Sequence, residues 1–150
     1  MKQIIPSIVA LALLLSTHAG AATPEQEKAF VDSYKKALEA NDAKALAAFL
    51  YTEGAKPDQI EFFKMMQTID QGAKVVSVEL VAPTAEEAAR FNKAMPMPDG
   101  KMYKMPVKPY KQLVIKTETK DANGSSSGTS KSPVAEVKGK LVIPVPVPAK

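Results

Sequence analysis

The chain has 150 residues, 20 of them Lys or Arg and 16 Asp or Glu, with 12 prolines, no cysteine, no tryptophan and a formal net charge of +4. Without cysteine there is no disulfide, no thiolate nucleophile, no cysteine zinc site and no cysteine-held iron–sulfur cluster. The single histidine, His18, falls in a segment read as a leader, so the rest of the chain has no imidazole for a His-based triad, a His-ligated metal or a haem ligand.

Residues 1–21 read as a secretory signal peptide. Lys2 is the basic start, Ile4 to Leu15 the apolar stretch, and Ala19-Gly20-Ala21 the small residues that a signal peptidase reads before Ala22. The apolar run is about a dozen residues, short of the ~20 that a helix needs to span a bilayer, so no membrane span is expected after cleavage. The expected location is periplasmic or secreted. Residues 22–150 then form a single domain, large enough for a hydrophobic core without staples. Export, together with a basic complement that is lysine except for Arg90, argues against a nucleic-acid partner, since arginine's planar fork is the usual reader of bases and phosphates.

Helical signals come first in chain order. Thr23-Pro24-Glu25-Gln26 is a capping box with proline at the first helical position, and Phe30, Tyr34, Ala37 and Leu38 share one face of the helix it opens. Asp42 caps a second, shorter helix with Leu46, Phe49 and Leu50 on its apolar side and Gly54 as its stop. Pro57-Asp58 begins a third, with Ile60, Phe63, Met66 and Ile69 recurring on one side and Gly72 at its end. The period then changes. Lys74 to Val81 predicts a strand with Val76, Val78 and Leu80 on one face and Val75, Ser77, Glu79 and Val81 on the other. Thr84 to Glu87 is a second capping box, opening an alanine-rich helix of about ten residues that should pack closely on a neighbour.

Residues 95–109 read as a Met- and Pro-rich linker with a turn at Pro98-Asp99-Gly100. Tyr110 to Thr119 predicts a strand, residues 121–133 a flexible, serine-rich hairpin loop, and Val134 to Val147 the last strand. Pro144, Pro146 and Pro148 share one parity. One side of that strand therefore loses its donors and the segment can pair on one side only, as an edge strand guarded against further pairing; a polyproline II tail is the rival reading.

Helices followed by an antiparallel sheet is an α+β order, N-terminal helices packed on a curved sheet. The stretch from Ser33 to Leu50, SYKKALEANDAKALAAFL, resembles the opening of the NTF2-like (SnoaL-like, cystatin-type cone) superfamily: an aromatic, an Ala-Leu pair, an Asn-Asp break, then a short Leu/Phe helix. The resemblance implies a curved sheet wrapped round a helix with a conical pocket, in a superfamily of ketosteroid isomerases, small hydrolases, dehydratases and non-catalytic binding domains. It places Tyr34 where the isomerase branch has a tyrosine that holds an oxyanion. The isomerases follow their second helix with a strand bearing a general-base aspartate; here Gly54 and Pro57 lead into another helix, so the catalytic assignment does not carry over.

Without histidine and cysteine, a general base must be a carboxylate, lysine or tyrosine. Among the strand carboxylates Glu79, Glu118 and Glu136, Glu79 is the candidate to partner Tyr34, provided both face one pocket. Met95, Met97, Met102 and Met105 offer soft thioethers at a spacing that suits Cu(I) if they converge, or apolar filler if they do not. No phosphate-cradling glycine loop and no serine nucleophile elbow is present. The expectation is an exported, non-catalytic binding or interaction domain without a cofactor, whose partner is a small apolar molecule or an envelope protein, and which could form oligomers. The alternatives are an isomerase-like or hydrolase-like enzyme with an apolar pocket, using Tyr34 and Glu79, and a Cu(I)-binding protein using the methionines.

Overall fold

The computed structural model describes residues 22–69, 72–122 and 124–150, without the side chain of Asp121. The expected signal peptide and Asn123 of the expected loop lie outside them. Helix α1 (Pro24–Glu39) is followed by α2 (Ala43–Ala47), β1 (Leu50–Tyr51), α3 (Pro57–Gln67), β2 (Lys74–Val81), α4 (Ala85–Phe91), β3 (Met95–Pro96), β4 (Met102–Lys104), β5 (Lys111–Asp121), β6 (Gly124–Val137), β7 (Lys140–Pro144) and β8 (Val147–Pro148). The fold is α+β. A curved, unclosed five-stranded sheet runs β1-β7-β6-β5-β2, antiparallel except for the β1–β7 pair, and a small three-stranded sheet runs β3-β4-β8.

Both capping boxes form. Thr23 Oγ1 accepts from Gln26 N–H while Gln26 Oε1 accepts from Thr23 N–H, and Thr84 and Glu87 exchange the same pair of bonds at α4. Asp42 caps α2 by accepting from Ala45 N–H. The face of α1 that the spacing predicts, Phe30, Tyr34, Ala37 and Leu38, is the buried one; with Leu46 of α2 it packs on Val78, Leu113, Ile115, Val134 and Ile143 of the sheet. The N-terminus of α1 is tied down as well. Glu27 accepts from Lys111 Nζ at 2.6 Å and from the Tyr110 hydroxyl at 3.3 Å. Val114 and Ala135, of the opposite strand parity, are also buried, so the central strands are covered on both faces.

Several elements depart from the sequence reading. The second helix stops at Ala47; Leu50–Tyr51 is a short strand, and Gly54 takes its positive φ in the turn after it. In β2 the register with β5 slips by one residue between Val75 and Ser77, leaving Val76 as a bulge. The extra residue reverses the alternation, so Val75 joins Val78 and Leu80 against the core while Val76 stands 55% exposed. Helix α4 has seven residues and none is buried, so its alanines make no close packing; Glu87 ties it to the sheet through Lys131 Nζ at 2.9 Å.

Most of the expected loop over 121–133 is strand, with Asp121 ending β5 and Gly124 to Pro133 lying in β6. β5 and β6 pair without a break from Lys111↔Val134 to Asp121↔Gly124. Strand pairing uses backbone groups, so a serine-rich segment with no apolar face can extend a hairpin that its partner strand has started. Residues 124–129 are accordingly exposed. The expected last strand is broken by a hairpin at Lys138-Gly139, both at positive φ (51° and 79°), the geometry of a type I′ turn. The 95–109 linker holds the β3–β4 hairpin; its tip is the expected Pro98-Asp99-Gly100 turn, closed by Gly100 N–H to Met97 C=O at 2.8 Å.

The proline parity acts as expected, in a different place. From Ile143 onward the donors sit on one parity only: Ile143 N–H reaches Phe49 C=O, Val145 N–H reaches Tyr51 C=O, and Ala149 N–H reaches Met102 C=O. β7 is second from the edge, because β1 covers the side that keeps its donors. Pro144 and Pro146 are buried, where a proline leaves no N–H to satisfy.

Candidate functional site

Helix α3 packs on α2 and has no comparable contact with the sheet. Between it and the sheet lies a cavity of about 210 Å³. Four groups of residues build it. Tyr34 and Leu38, one turn apart on α1, form one wall; Phe62, Phe63, Met66 and Gln67 of α3 form the opposite one; Ile115 and Ile143 supply an apolar floor; Ser130 and Ser132 of β6 add hydroxyls beside it. The register explains the floor, since Ser130 is paired with Ile115 and Ser132 with Leu113, placing small polar residues beside large apolar ones on the concave face. The volume somewhat exceeds the ~150 Å³ that holds a benzene ring, so the cavity has room for one or two fused rings or a short acyl chain.

Tyr34 is 2% exposed and its ring is held by two others, Phe49 at 5.1 Å and Phe30 at 6.3 Å between centroids, while Phe30 and Phe49 meet edge to face at 5.3 Å. The resemblance to isomerases singles out this residue, and the fold puts it on the cavity wall. Glu79 is elsewhere. It is exposed, paired with Val114, whose parity is opposite to that of the cavity floor. Among the described residues that line the cavity there is no carboxylate, so Tyr34 and Glu79 are not brought together. The short strand that follows α2 carries Leu50 and Tyr51, with no acid.

Met95, Met97 and Met102 lie on the β3–β4 hairpin, where strand alternation puts Met102 on the face opposite to Met95 and Met97. Met95 pairs with Tyr103, and Met102, exposed, with Pro96. Met97 faces a crevice with Asp58, Gln59, Phe62 and Asp99, whereas Met105 borders other hollows with Lys104 and Pro106. Among the described residues no group of three or more His, Cys, Asp or Glu could hold a metal ion.

Two polar groups in this region escape a reading of the sequence. Tyr103 is buried, and its hydroxyl donates to Asp99 Oδ2 at 2.7 Å; that bond, with burial, pushes the phenol up to about 12, and the same bond, with the Lys101 N–H, holds the aspartate below its usual range. The second is Gln67, whose amide oxygen and nitrogen are buried with no hydrogen-bond partner among the described residues. Residue type and spacing mark neither, because a glutamine at the end of an amphipathic helix reads as surface. No protein-family model, curated protein or solved structure matches the chain.

Proposed function

We propose that this is a small exported, non-catalytic binding domain of NTF2-like type, which takes an apolar small molecule between α3 and the concave face of the sheet. The observation that carries the reading is the cavity itself, apolar on three sides, with a helix over it that the sheet does not hold. A fold built only to be stable would collapse that space, because an empty apolar volume forfeits packing contacts. The superfamily assignment rests on the Ser33–Leu50 resemblance together with the order of helices and curved sheet. The periplasmic or secreted location rests on residues 1–21, and mass spectrometry of the exported protein is expected to show it starting at Ala22.

The test is a thermal-shift and titration series with one- and two-ring apolar compounds and short acyl chains. A ligand at 100 times its Kd is expected to stabilise the protein by ~2.7 kcal/mol. Ser130→Phe, which projects a ring into the cavity from β6, is expected to abolish that shift. Met66→Glu, on the opposite wall, should do the same without touching the sheet. A cooperative melt that no apolar compound moves, or a shift that survives both substitutions, overturns the proposal.

A further inference from the structure

β6 is paired along most of one side and only at the end of the other. β5 pairs with it from Gly124 to Val134, whereas β7 pairs only with Ala135 to Val137. Successive residues of a strand turn their backbone groups to opposite edges. Ile143 N–H turns to Phe49, so Val142 turns to β6 and its partner Ala135 turns to β7. By the same alternation Ser125, Ser127, Thr129, Lys131 and Pro133 direct their backbone groups at the edge that β7 leaves, where none has a backbone partner among the described residues. Pro133 and Pro144 would be the next pair of the β6–β7 register to exchange bonds, and neither has an N–H. The open edge from Ser125 to Pro133 is roughly 30 Å long at ~3.3 Å per residue. Free edges are normally guarded by charge, proline or a bulge; Ser125 to Ser130 has none of these, whereas β2, at the end of the sheet, has its bulge at Val76. The edge also meets the cavity beside α3. Ser130, Lys131, Ser132 and Pro133 all line it, although the Lys131 side chain leaves for Glu87, so the hollow reaches the backbone of β6 beside its open edge.

We propose that the open edge of β6 takes an extended peptide segment of another protein as one more antiparallel strand, and that apolar side chains of this segment fill the cavity. The occupant follows from what is unmet. A row of backbone donors and acceptors is matched by another backbone, and a pocket beside the row selects alternate side chains. Antiparallel is the orientation of both present neighbours of β6 and the slightly stronger pairing. In that orientation the residues opposite Ser132 and Ser130 lie two apart near the N-terminal end of the segment. They share the concave face with those serines and enter the cavity between Tyr34, Phe63, Met66 and Ile143. The remainder, opposite Ser125 to Thr129, meets only exposed serine, glycine and threonine, which form no pocket. A second copy of β6 fits less well, because it would bring serine hydroxyls into an apolar space. The inference rests on the cavity taking an apolar group, as proposed above, and names a peptide as the bearer of that group.

The probe is a capped peptide of about nine residues, threonine and serine throughout except for phenylalanine second and leucine fourth. With its first residue opposite Pro133, both apolar side chains enter the cavity, and the third, fifth and seventh N–H groups turn to β6. Titration compares this peptide with two N-methylated forms. Methylating the third and fifth nitrogens, which face β6, should weaken binding at least about tenfold, and methylating the fourth and sixth, which face away, by less than about threefold. Replacing phenylalanine and leucine by serine should also weaken it at least about tenfold. Thr129→Pro removes a donor from the open edge and leaves the bonds to β5 intact, as Pro133 already does; it should abolish binding with the melting temperature nearly unchanged. Amide hydrogen exchange reads the same edge without a variant. The peptide should slow Ser127, Thr129 and Lys131 and change Ser126, Gly128 and Ser130, which face β5, much less. Equal loss from both methylation patterns, undiminished binding of the serine form, binding that survives Thr129→Pro, or amides of Ser127 to Lys131 that stay unprotected would overturn the strand addition and leave the cavity as an apolar site. A dimer that Thr129→Pro disperses would overturn it too, by giving the edge to a second copy. A peptide that fails where small apolar compounds bind overturns this inference alone; failure of both overturns the cavity reading with it.

Discussion

Glu87 has two duties at once. It closes the N-terminus of α4 through the backbone of Thr84 and binds Lys131 on β6, and these bonds, the backbone one foremost, hold its carboxyl down to about 2. A carboxylate with a depressed pKa contributes stability that is fully present above its ordinary value of 4.5 and is lost as pH falls towards about 2. Glu87→Gln keeps a side chain that can reach the Thr84 N–H but has no charge for Lys131. The melting temperature of wild type should therefore exceed that of Glu87→Gln at pH 6, and the difference should close between pH 4.5 and 2 in a series of thermal melts. A constant difference across that range would mean that the carboxylate's charge is not what matters. Tyr103 is the mirror case. Asp99 and burial raise its phenol, so that contribution is present at neutral pH and fades only as pH rises past 10 towards about 12.

At the scale of elements, the bulge in β2 decides which valines matter. Simple alternation puts Val76 and Val78 on the same face; the slip between Val75 and Ser77 separates them, leaving Val78 in the core and Val76 in solvent. Val76→Thr is therefore expected to change stability by no more than about 0.5 kcal/mol, as for ordinary surface positions. Val78→Thr buries a hydroxyl with nothing to bond and should cost about 1–3 kcal/mol. Urea unfolding of the two variants distinguishes the bulged register from the regular one, which would make the two costs similar. The β6–β7 turn shows the same dependence on local geometry. Lys138 and Gly139 both need positive φ, which glycine meets freely and lysine at some cost, so the hairpin is held by its strands more than by its turn residues.

For the whole molecule, the unequal attachment of the helices matters most. α1 is bound to the sheet by four buried side chains and by Glu27 with Lys111 and Tyr110. α3 rests on α2, leaves Met65 58% and Met66 43% exposed, and spans the cavity. Segments with few buried apolar contacts open at lower free energy than the core does. In hydrogen exchange, the amides of α3 should therefore exchange faster than those of α1, and an apolar ligand that fills the cavity should slow α3 while leaving α1 nearly unchanged. Equal protection of both helices in the free protein would count against α3 as the movable wall.

What the sequence determined alone is what depends on neighbours a few residues away. The caps at Thr23, Asp42 and Thr84 need a side chain and a backbone N–H two or three residues on; the buried stripe of α1 needs only the helical period; the turn at Pro98-Asp99-Gly100 and the donor parity around Pro144 are set by rings and φ angles. Tertiary structure decided everything that needs a distant partner. Ser125 to Thr129 became strand because β5 offered unpaired backbone groups, Leu50–Tyr51 because Ile143 and Pro144 lay alongside, and Val76 was ejected by the register with Thr117 and Lys116. The candidate site belongs to this second class. The helical period marks Tyr34 as buried but does not say that it borders a cavity, and the burial of the Gln67 amide was not legible at all. That amide is buried by what packs around the end of α3, and no local pattern encodes how one element is placed against another.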